Sequence, residues 1–460
     1  MQQAILLVYG KGGSALEYML PRLVTGSLVD VLLVGEPRPW QRELLQRLCR
    51  TVHTAAEDVP LVDEIIAVAR RLGSDGVLTF SEFCVVPTAQ ACTALGLPGP
   101  GDGAARSRNK LLMREAWEAA GVPNPLFRAV DSLYDLQAAR SDVPGPVIVK
   151  SALGAGSISQ VVVDITDDVE EAWAQLIEAQ SSALSAGMVD SGQWSGPAFI
   201  LEELITSSTD GWYDEPGYGD YLSVEGLVVG GIYHPIAITA RLPTIPVFVE
   251  LSNHAPTVLP VHKQHLILEV ARRAVDALGL DTCATHTELK LKADGTVCLL
   301  ESAARAGGAM VAREILEVYG VDIIRLQQDA ALRRPVILAE KMLTSSDANG
   351  AAASLSVIAA DAYGNPWKTS PPFVPRDVDW SELVSPGTTV EVVEGQSLDH
   401  GVPMPLYHPN SGVLGYGGLL FVRAADALTL RDDCYRILDG LEESLMKAAR
   451  RSLALDKHID

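Results

Sequence analysis

The segment THTELKLKADGTVCLLESAAR, Thr285 to Arg305, reads as a hairpin with an electrostatic problem built into it. Asp294-Gly295 is a strong two-residue turn signal. Folding there sets Ala293 opposite Thr296, Lys292 opposite Val297, Leu289 opposite Leu300 and Glu288 opposite Glu301. Carboxylates facing each other across antiparallel strands, with Cβ atoms ~5 Å apart, repel. A divalent cation between them reverses the sign, and hard oxygen ligands suit Mg²⁺ (or Mn²⁺), whose shell water and substrate phosphates complete. Alternation puts Leu289, Leu291, Cys298 and Leu300 on a core side and Glu288, Lys290 and Glu301 on the other. The bland alternative is that Lys290 merely screens the pair. Arg305, four residues beyond Glu301, adds a cation suited to developing negative charge.

Lysine is scarce, ten against twenty-six arginines, and only Lys11, Lys110 and Lys150 precede residue 263. Lys150 closes a strand in PVIVKSALGAGSISQVVV, before a loop of small residues that includes Ser157. Such a loop can offer backbone N–H groups to phosphates while a lysine supplies a point charge. FILEELI ends an apolar strand in Glu202 and Glu203, and Glu225 lies on the first of two strands hinged at Gly230-Gly231. Individually, these glutamates read as solvated strand faces. Gly10 to Ser14 follows a strand and opens a helix, yet fits neither GxxxxGKS nor GxGxxG, so a tight turn is favoured over a nucleotide site. The sheet edge it belongs to should still face a ligand; Ser81 and Glu82 sit at another strand end there. His262 and His265 lack a carboxylate cluster and read as solvated. The six cysteines form no CxxC pair and read as buried thiols.

These residues need a scaffold. A chain of 460 residues, 48% hydrophobic and 20% charged, holds about three globular domains. The net charge of −22 argues against nucleic acid, no apolar run approaches the ~20 residues of a membrane helix, and a cytoplasmic location is expected. The first hundred residues alternate strand and helix, predicting a parallel sheet covered on both faces. A boundary falls at Gly101 to Arg106, followed by a helix from Ser107 to Ala120. Longer strands with hairpins then predict a mixed α+β region to about Gly320. TSSDANGAAA near residue 350 reads as a loop or linker, after which strands return before a final helix from about Asp432 to Leu453.

The order of the signals carries further than any one of them. A helix bearing Lys110, a strand bearing Lys150 before a small-residue loop, an acidic strand end, then paired glutamates and an arginine resemble the ATP-grasp superfamily over about Gly103 to Arg333. The resemblance implies an N-terminal α/β domain (1–104), an ATP-grasp domain (105–335) of two α+β subdomains clamping ATP, with a lid at about 124–205, and a C-terminal α+β subdomain (336–460). It implies that Lys110, Lys150 and Lys290 bind ATP with Ser157 in the phosphate loop, that Glu202, Glu203 and Leu204 form the adenine hinge, and that Glu288 and Glu301 hold the metal. Where the superfamily pattern E-x-N-x-R has asparagine, this chain has Ala303. CATHTELK, ESAAR and the insertion DGWYDEPGYGDYLSVEG resemble instead the dipeptide-forming, bacilysin synthetase-like branch of L-amino acid ligases. That branch implies an acyl phosphate steadied by Arg305 and a substrate site containing Glu82, Glu250, His254 or Asn253, Gly308 and Ala309. The run Ala306 to Ala309 suggests a pocket open to a substrate larger than alanine. Small-molecule substrates, amino acids or amines, are the implied partners, and a homodimer is allowed. Another ATP-grasp ligase, or a module that binds ATP or amino acids without turnover, is the alternative.

Overall fold

The computed structural model describes residues 2–156, 159–190, 195–408 and 415–456, with side chains to 451. The first sheet grows from β1 (Ala4–Tyr9), α1 (Leu16–Gly26), β2 (Leu28–Leu33), α2 (Pro39–Leu48), β3 (Thr51–Thr54), α3 (Leu61–Leu72), β4 (Gly76–Thr79) and α4 (Val85–Leu95). It is parallel, in the order β3-β2-β1-β4. Ile5 to Val8 are fully buried because both faces are covered: Ile5 and Leu7 pack toward α1, Leu6 and Val8 toward α3 and α4. Each such side chain contributes about 1.5–3 kcal/mol on burial. The edge strand β3 was not anticipated; TVHT is short and alternates half-buried with exposed residues.

The single helix expected from Ser107 to Ala120 is two, α5 (Gly103–Arg108) and α6 (Lys110–Ala119). Asn109 breaks them with an extended backbone, and its side chain accepts from the Leu111 and Leu112 N–H groups. That cap satisfies two amides of the new helix start and places Lys110 at the first helical position.

Next come β5 (Phe127–Val130), α7 (Leu133–Asp142), β6 (Val147–Ser151), β7 (Gln160–Val163), α8 (Val169–Ser185) and β8 (Phe199–Glu203), an antiparallel sheet ordered β5-β8-β6-β7 with its own core. A third sheet, ordered β10-β9-β12-β13, is built from β9 (Tyr221–Val229), β10 (Ile232–Thr239), β12 (Cys283–Leu291) and β13 (Val297–Ala303). Between β10 and β12 lie β11 (Ser252–Ala255) and α9 (Val261–Leu278); α10 (Val311–Tyr319) and α11 (Ile323–Ala331) follow β13. Gly230 and Gly231, both at positive φ, close the β9–β10 hairpin as expected. One face of this sheet sends Val224, Val228, Leu289 and Leu299 into a core that includes Trp117 of α6 and Ala271 of α9. The other face is apolar at one end, where Leu227 and Ala284 share a core with α1, α10 and α11, and polar at the other, where Ser223, Glu225, His286 and Glu288 gather.

The last sheet, β11-β14-β16-β15, adds β14 (Ala351–Ile358), β15 (Thr389–Val392) and β16 (Tyr416–Ala424), backed by α12 (Ala427–Asp456). Here the linker expected near residue 350 is corrected. Its last three alanines open β14, a strand buried along its whole length between β11 and β16. Pairing on both edges overrides the weak strand propensity of alanine. Among the described residues no helix is long and apolar enough to cross a membrane.

Candidate active site

Glu288 does pair with Glu301, but through two departures that cancel. The turn is one residue longer than expected: Lys292 N–H donates to Thr296 O, Gly295 N–H to Lys292 O, and Gly295 sits at φ +77°. Leu291 therefore pairs with Val297 and Leu289 with Leu299. A bulge between Glu288 and Leu289 then absorbs Leu300 and restores the facing glutamates. The core side of β13 is accordingly Val297 and Leu299, not Cys298 and Leu300. Leu300 lines the same cleft as Glu301, the re-aiming of side chains that a bulge produces.

That cleft lies between the β6–β7 hairpin, the end of β8 and the β12–β13 pair, and includes Lys110, Lys150, Glu203, Leu204, Glu288, Lys290 and Glu301 in its walls. Lys110 Nζ is 2.9 Å from Glu301 Oε2 and donates to Gly154 O at 2.9 Å, joining the small-residue loop to the glutamate pair. Lys150 Nζ is 2.7 Å from Glu202 Oε2, while Arg114 Nε meets the other oxygen, Oε1, at 2.9 Å. Burial alone would raise Glu202, but Arg114 and Lys150 outweigh it and hold its carboxyl at about 2. Glu202 thus anchors two cations, and with Glu203 and Leu204 it lines the cleft. Lys290 pairs with Asp220 at 2.8 Å and leaves the facing glutamates to other cations. Ser157 lies outside the described residues.

Two cations hold Glu288. His286, two residues earlier on the same strand, places Nε2 3.0 Å from Glu288 Oε1 and Nδ1 2.6 Å from the fully buried Glu225. Arg241 Nη2 stands 3.5 Å from the same Glu288 oxygen. Burial opposes charge on the imidazole, but Glu225 and then Glu288 push its pKa up to about 9. Burial likewise opposes the Glu288 carboxylate, yet His286 and Arg241 hold it at about 2.

Arg305 reaches across to the parallel sheet, with Nε 2.6 Å from Glu82 Oε2 just beyond β4. Arg108 approaches the other Glu82 oxygen at 3.6 Å and Asp190 at 2.9 Å. At the sheet edge expected to face a ligand, Glu82 is buried between Arg305 and Arg108. The Gly10–Ser14 turn serves as a docking point: Ser14 Oγ donates to Gly307 O, Ser14 bridges Ala309, and Lys11 Nζ donates to Ala186 O at the end of α8. A Cβ on Gly13 would lie 1.8 Å from Phe80 O, so only glycine fits there.

The residues of the expected substrate segment lie in different surroundings. Glu250 Oε2 is 2.7 Å from Arg241 Nε, and Tyr221 OH approaches Oε1 at 3.5 Å. His254 is buried against Tyr218, and burial reinforced by Arg241 lowers it to about 3, so it stays neutral. Asn253 is half-buried on β11, its Oδ1 without a hydrogen-bond partner. Ala309, at φ +49°, packs on the core shared with α1 and α10, whereas a Cβ on Gly308 would meet nothing within 4 Å. Both Gly308 and Ala309 are half-buried. His262 and His265 are exposed, as read, and the cysteines are free, with Cys49 half-buried and the others buried.

Residues 29–99 match the ATP-grasp N-terminal domain. The solved L-amino acid ligase of Bacillus licheniformis superposes with a TM-score of 0.67 at 22% identity, covering 95% of this chain and 97% of that one. A biotin carboxylase complex from Campylobacter jejuni gives 0.64 at 17% identity, covering 93% and 88%. The chain has an ATP-grasp fold. Alanine–anticapsin ligase of Bacillus subtilis is 37% identical over 270 residues, 58% of this chain and 56% of that protein. Carnosine synthase 1 of Mus musculus is 26% identical over 69% of this chain and 38% of its own length. The chain spans about half the length of the anticapsin ligases it matches.

Whether the cleft fits a metal turns on its donors. Ala303, where the superfamily pattern has asparagine, is buried and pairs with His286, and among the described residues no group of three or more His, Cys, Asp or Glu is placed to hold an ion. Two facing carboxylates remain, which suits an ion completed by phosphates and water. Sequence reasoning missed Arg108, Arg114, Arg241, Asp190, Tyr221 and His286. The arginines are unremarkable among twenty-six. His286 stood inside the quoted THTELK, two residues before Glu288 and on its face of the strand, and that spacing was the available signal.

Proposed function

We propose that the protein is an ATP-dependent carboxylate–amine ligase that joins two amino acids, or an amino acid and a related amine, through an acyl phosphate. The observation that carries this reading is the gathering of Lys110, Lys150, Glu288 and Glu301 around one cleft. Arg305, tied to Glu82, stands beside the same pair in sequence. The names of the relatives, ligases and a synthase, support the same reaction class.

In this reading a substrate carboxylate oxygen attacks the γ-phosphorus of ATP, and ADP departs. Lys110 and Lys150 hold the phosphates as point charges, Glu203 and Leu204 border the adenine, and Lys290 and Ser157 complete the nucleotide's surroundings. Mg²⁺ or Mn²⁺ on Glu288 and Glu301 would supply Lewis-acid charge for the phosphoryl oxygens. The second substrate's ammonium loses a proton, its nitrogen attacks the acyl carbon, and phosphate leaves with formation of the C–N bond. Arg305, fixed by Glu82, stabilises the oxyanion of the tetrahedral intermediate. Glu250, with Asn253 nearby, receives a substrate ammonium, while His254, neutral and buried, shapes the wall behind it.

The test is product analysis with ATP, Mg²⁺ and a panel of amino-acid pairs. ADP, phosphate and amide should appear together, and only with a competent pair. AMP and pyrophosphate would sink the mechanism, bicarbonate-dependent turnover without amino acids would move the protein to carboxylase-type chemistry, and ATP binding without turnover would make it a binding module.

A further inference from the structure

Arg241 belongs to no motif singled out above, yet it contacts both Glu250 and Glu288. Its backbone is pinned on both sides: Gly219 N–H donates to Arg241 O, and the neighbouring Ala240 exchanges hydrogen bonds with His254. Its side chain is 1% exposed. Nε meets Glu250 Oε2 at 2.7 Å, Nη1 donates to Ser223 Oγ at 2.7 Å, and Nη2 stands 3.5 Å from Glu288 Oε1. The guanidinium lies over the Tyr221 ring, 3.9 Å from its centroid, and Tyr221 OH reaches back to Glu250 Oε1.

We infer that Arg241 is a positioning residue that fixes Glu250 and Glu288 relative to one another and so couples amino-acid recognition to divalent-cation binding. The inference rests on the ligase reading for the roles of those glutamates. Glu250 comes from the segment before β11 and Glu288 from β12, and Arg241 is in ion-pair contact with both. A planar fork with donors in fixed directions can span two carboxylates and a hydroxyl at once; a lysine ammonium on a flexible stem holds one of them. Because Arg241 occupies Glu250 Oε2, a substrate ammonium is directed to Oε1.

R241K keeps the charge and the stem and is the primary variant; R241M removes the charge. Two readouts decide. One is the Mg²⁺ concentration that half-saturates the enhancement of ADP binding, read by calorimetry without turnover. The other is KM against kcat for the amino acid. With R241K, metal half-saturation and amino-acid KM should both rise about tenfold or more, as expected when a partner of a metal ligand is altered, while metal-free ADP affinity stays within twofold. R241M should exceed R241K in both. In an E250Q background R241K should change KM less than twofold, since it acts through Glu250. Metal half-saturation and KM within twofold of wild type in R241K would overturn the inference. So would a loss of metal-free ADP affinity in parallel with everything else, which marks a purely structural residue. If the wild type releases no ADP with any amino acid, the ligase reading fails, and the Mg²⁺ titration still decides whether Arg241 serves the metal site.

Discussion

Glu202 and Glu288 are both strand glutamates held ionised with pKa values near 2, yet their surroundings are built in opposite ways. Glu202 is one carboxylate between two cations, Arg114 from α6 and Lys150 from β6. Glu288 shares its cations with other carboxylates: His286 with Glu225, and Arg241 with Glu250, while Glu301 faces it across the strand pair. The first arrangement has surplus positive charge, the second surplus negative charge. A surplus of buried charge is costly unless something completes it. In the proposed ligase reading, an ATP phosphate chain would complete the cationic surplus, and a divalent cation with a substrate ammonium would complete the anionic one.

The largest expected effect tests the anionic side. Glu301→Gln keeps shape and hydrogen bonding but removes one of the facing charges, and turnover should fall by about a hundredfold to a thousandfold, the scale of losing a main electrostatic contributor. The melting temperature should hold, because Glu301 is partly exposed and its Lys110 partner also has Gly154 O. Undiminished activity would make the facing pair structural.

Glu202→Ala tests the cationic side, where the effect should appear in stability. Removing the one carboxylate between two buried cations leaves both uncompensated, and breaking such a pair costs about 3–5 kcal/mol. Denaturant unfolding should show it at any nucleotide concentration too low to bind. A loss under about 1 kcal/mol would mean that Arg114, which also donates to Leu300 O, is held well enough without Glu202.

The same contrast explains what the sequence disclosed. Lys150, Glu202 and the facing glutamates were readable because each depends on strand alternation and nearest pairing, which are local. Even there the turn length was wrong by one, and only the bulge at Leu300 restored the register. Arg114, Arg108 and Arg241 were not readable, since nothing local distinguishes a helix arginine facing Glu202 from one facing solvent. The β14 alanines failed for the same reason: their strand exists because β11 and β16 flank it. Glu82 was found by its place at a strand end, and its partner Arg305, 223 positions away in sequence, by the motif after Glu301.

The pH dependence of stability sharpens the comparison further. Glu314 on α10 is fully buried, and burial pushes its pKa up to about 8 although Ser354 N–H and Oγ both donate to it. A carboxyl with a raised folded pKa binds its proton where the unfolded chain has released it, so stability falls as pH rises from about 4.5 through 8. His286, raised to about 9, holds its proton above the unfolded value of about 6.5, so its contribution is complete below 6.5 and lost through 9. Glu288 has the opposite sign, with stability present above about 4.5 and lost as pH falls through 2. Glu314→Gln should remove the first component by mimicking the protonated acid, gaining at least about 2 kcal/mol relative to wild type at pH 8 over the difference at pH 5. An unchanged pH profile would mean that Glu314 is ionised in the folded protein.

The smallest effect separates neighbouring glycines. A Cβ at Gly307 would sit 2.9 Å from His286 Nδ1 and from Val311 Cβ and Cγ1, so Gly307→Ala must displace either the imidazole that holds Glu288 or the first residue of α10. A Cβ at Gly308 meets nothing within 4 Å. Gly308→Ala should leave stability unchanged or raise it by about 0.4–1 kcal/mol through the unfolded chain. Its kinetic effect should fall on KM for the bulkiest accepted amino acid and spare the smallest, because the added methyl takes space that only a larger side chain would use. A single methyl in an apolar pocket is worth about 1–3 kcal/mol of discrimination, so the ratio of kcat/KM between large and small substrates is the measurement. A ratio that does not move would place Gly308 against solvent and remove it from the substrate site, leaving Gly307, through His286, as the glycine of this loop that the site requires.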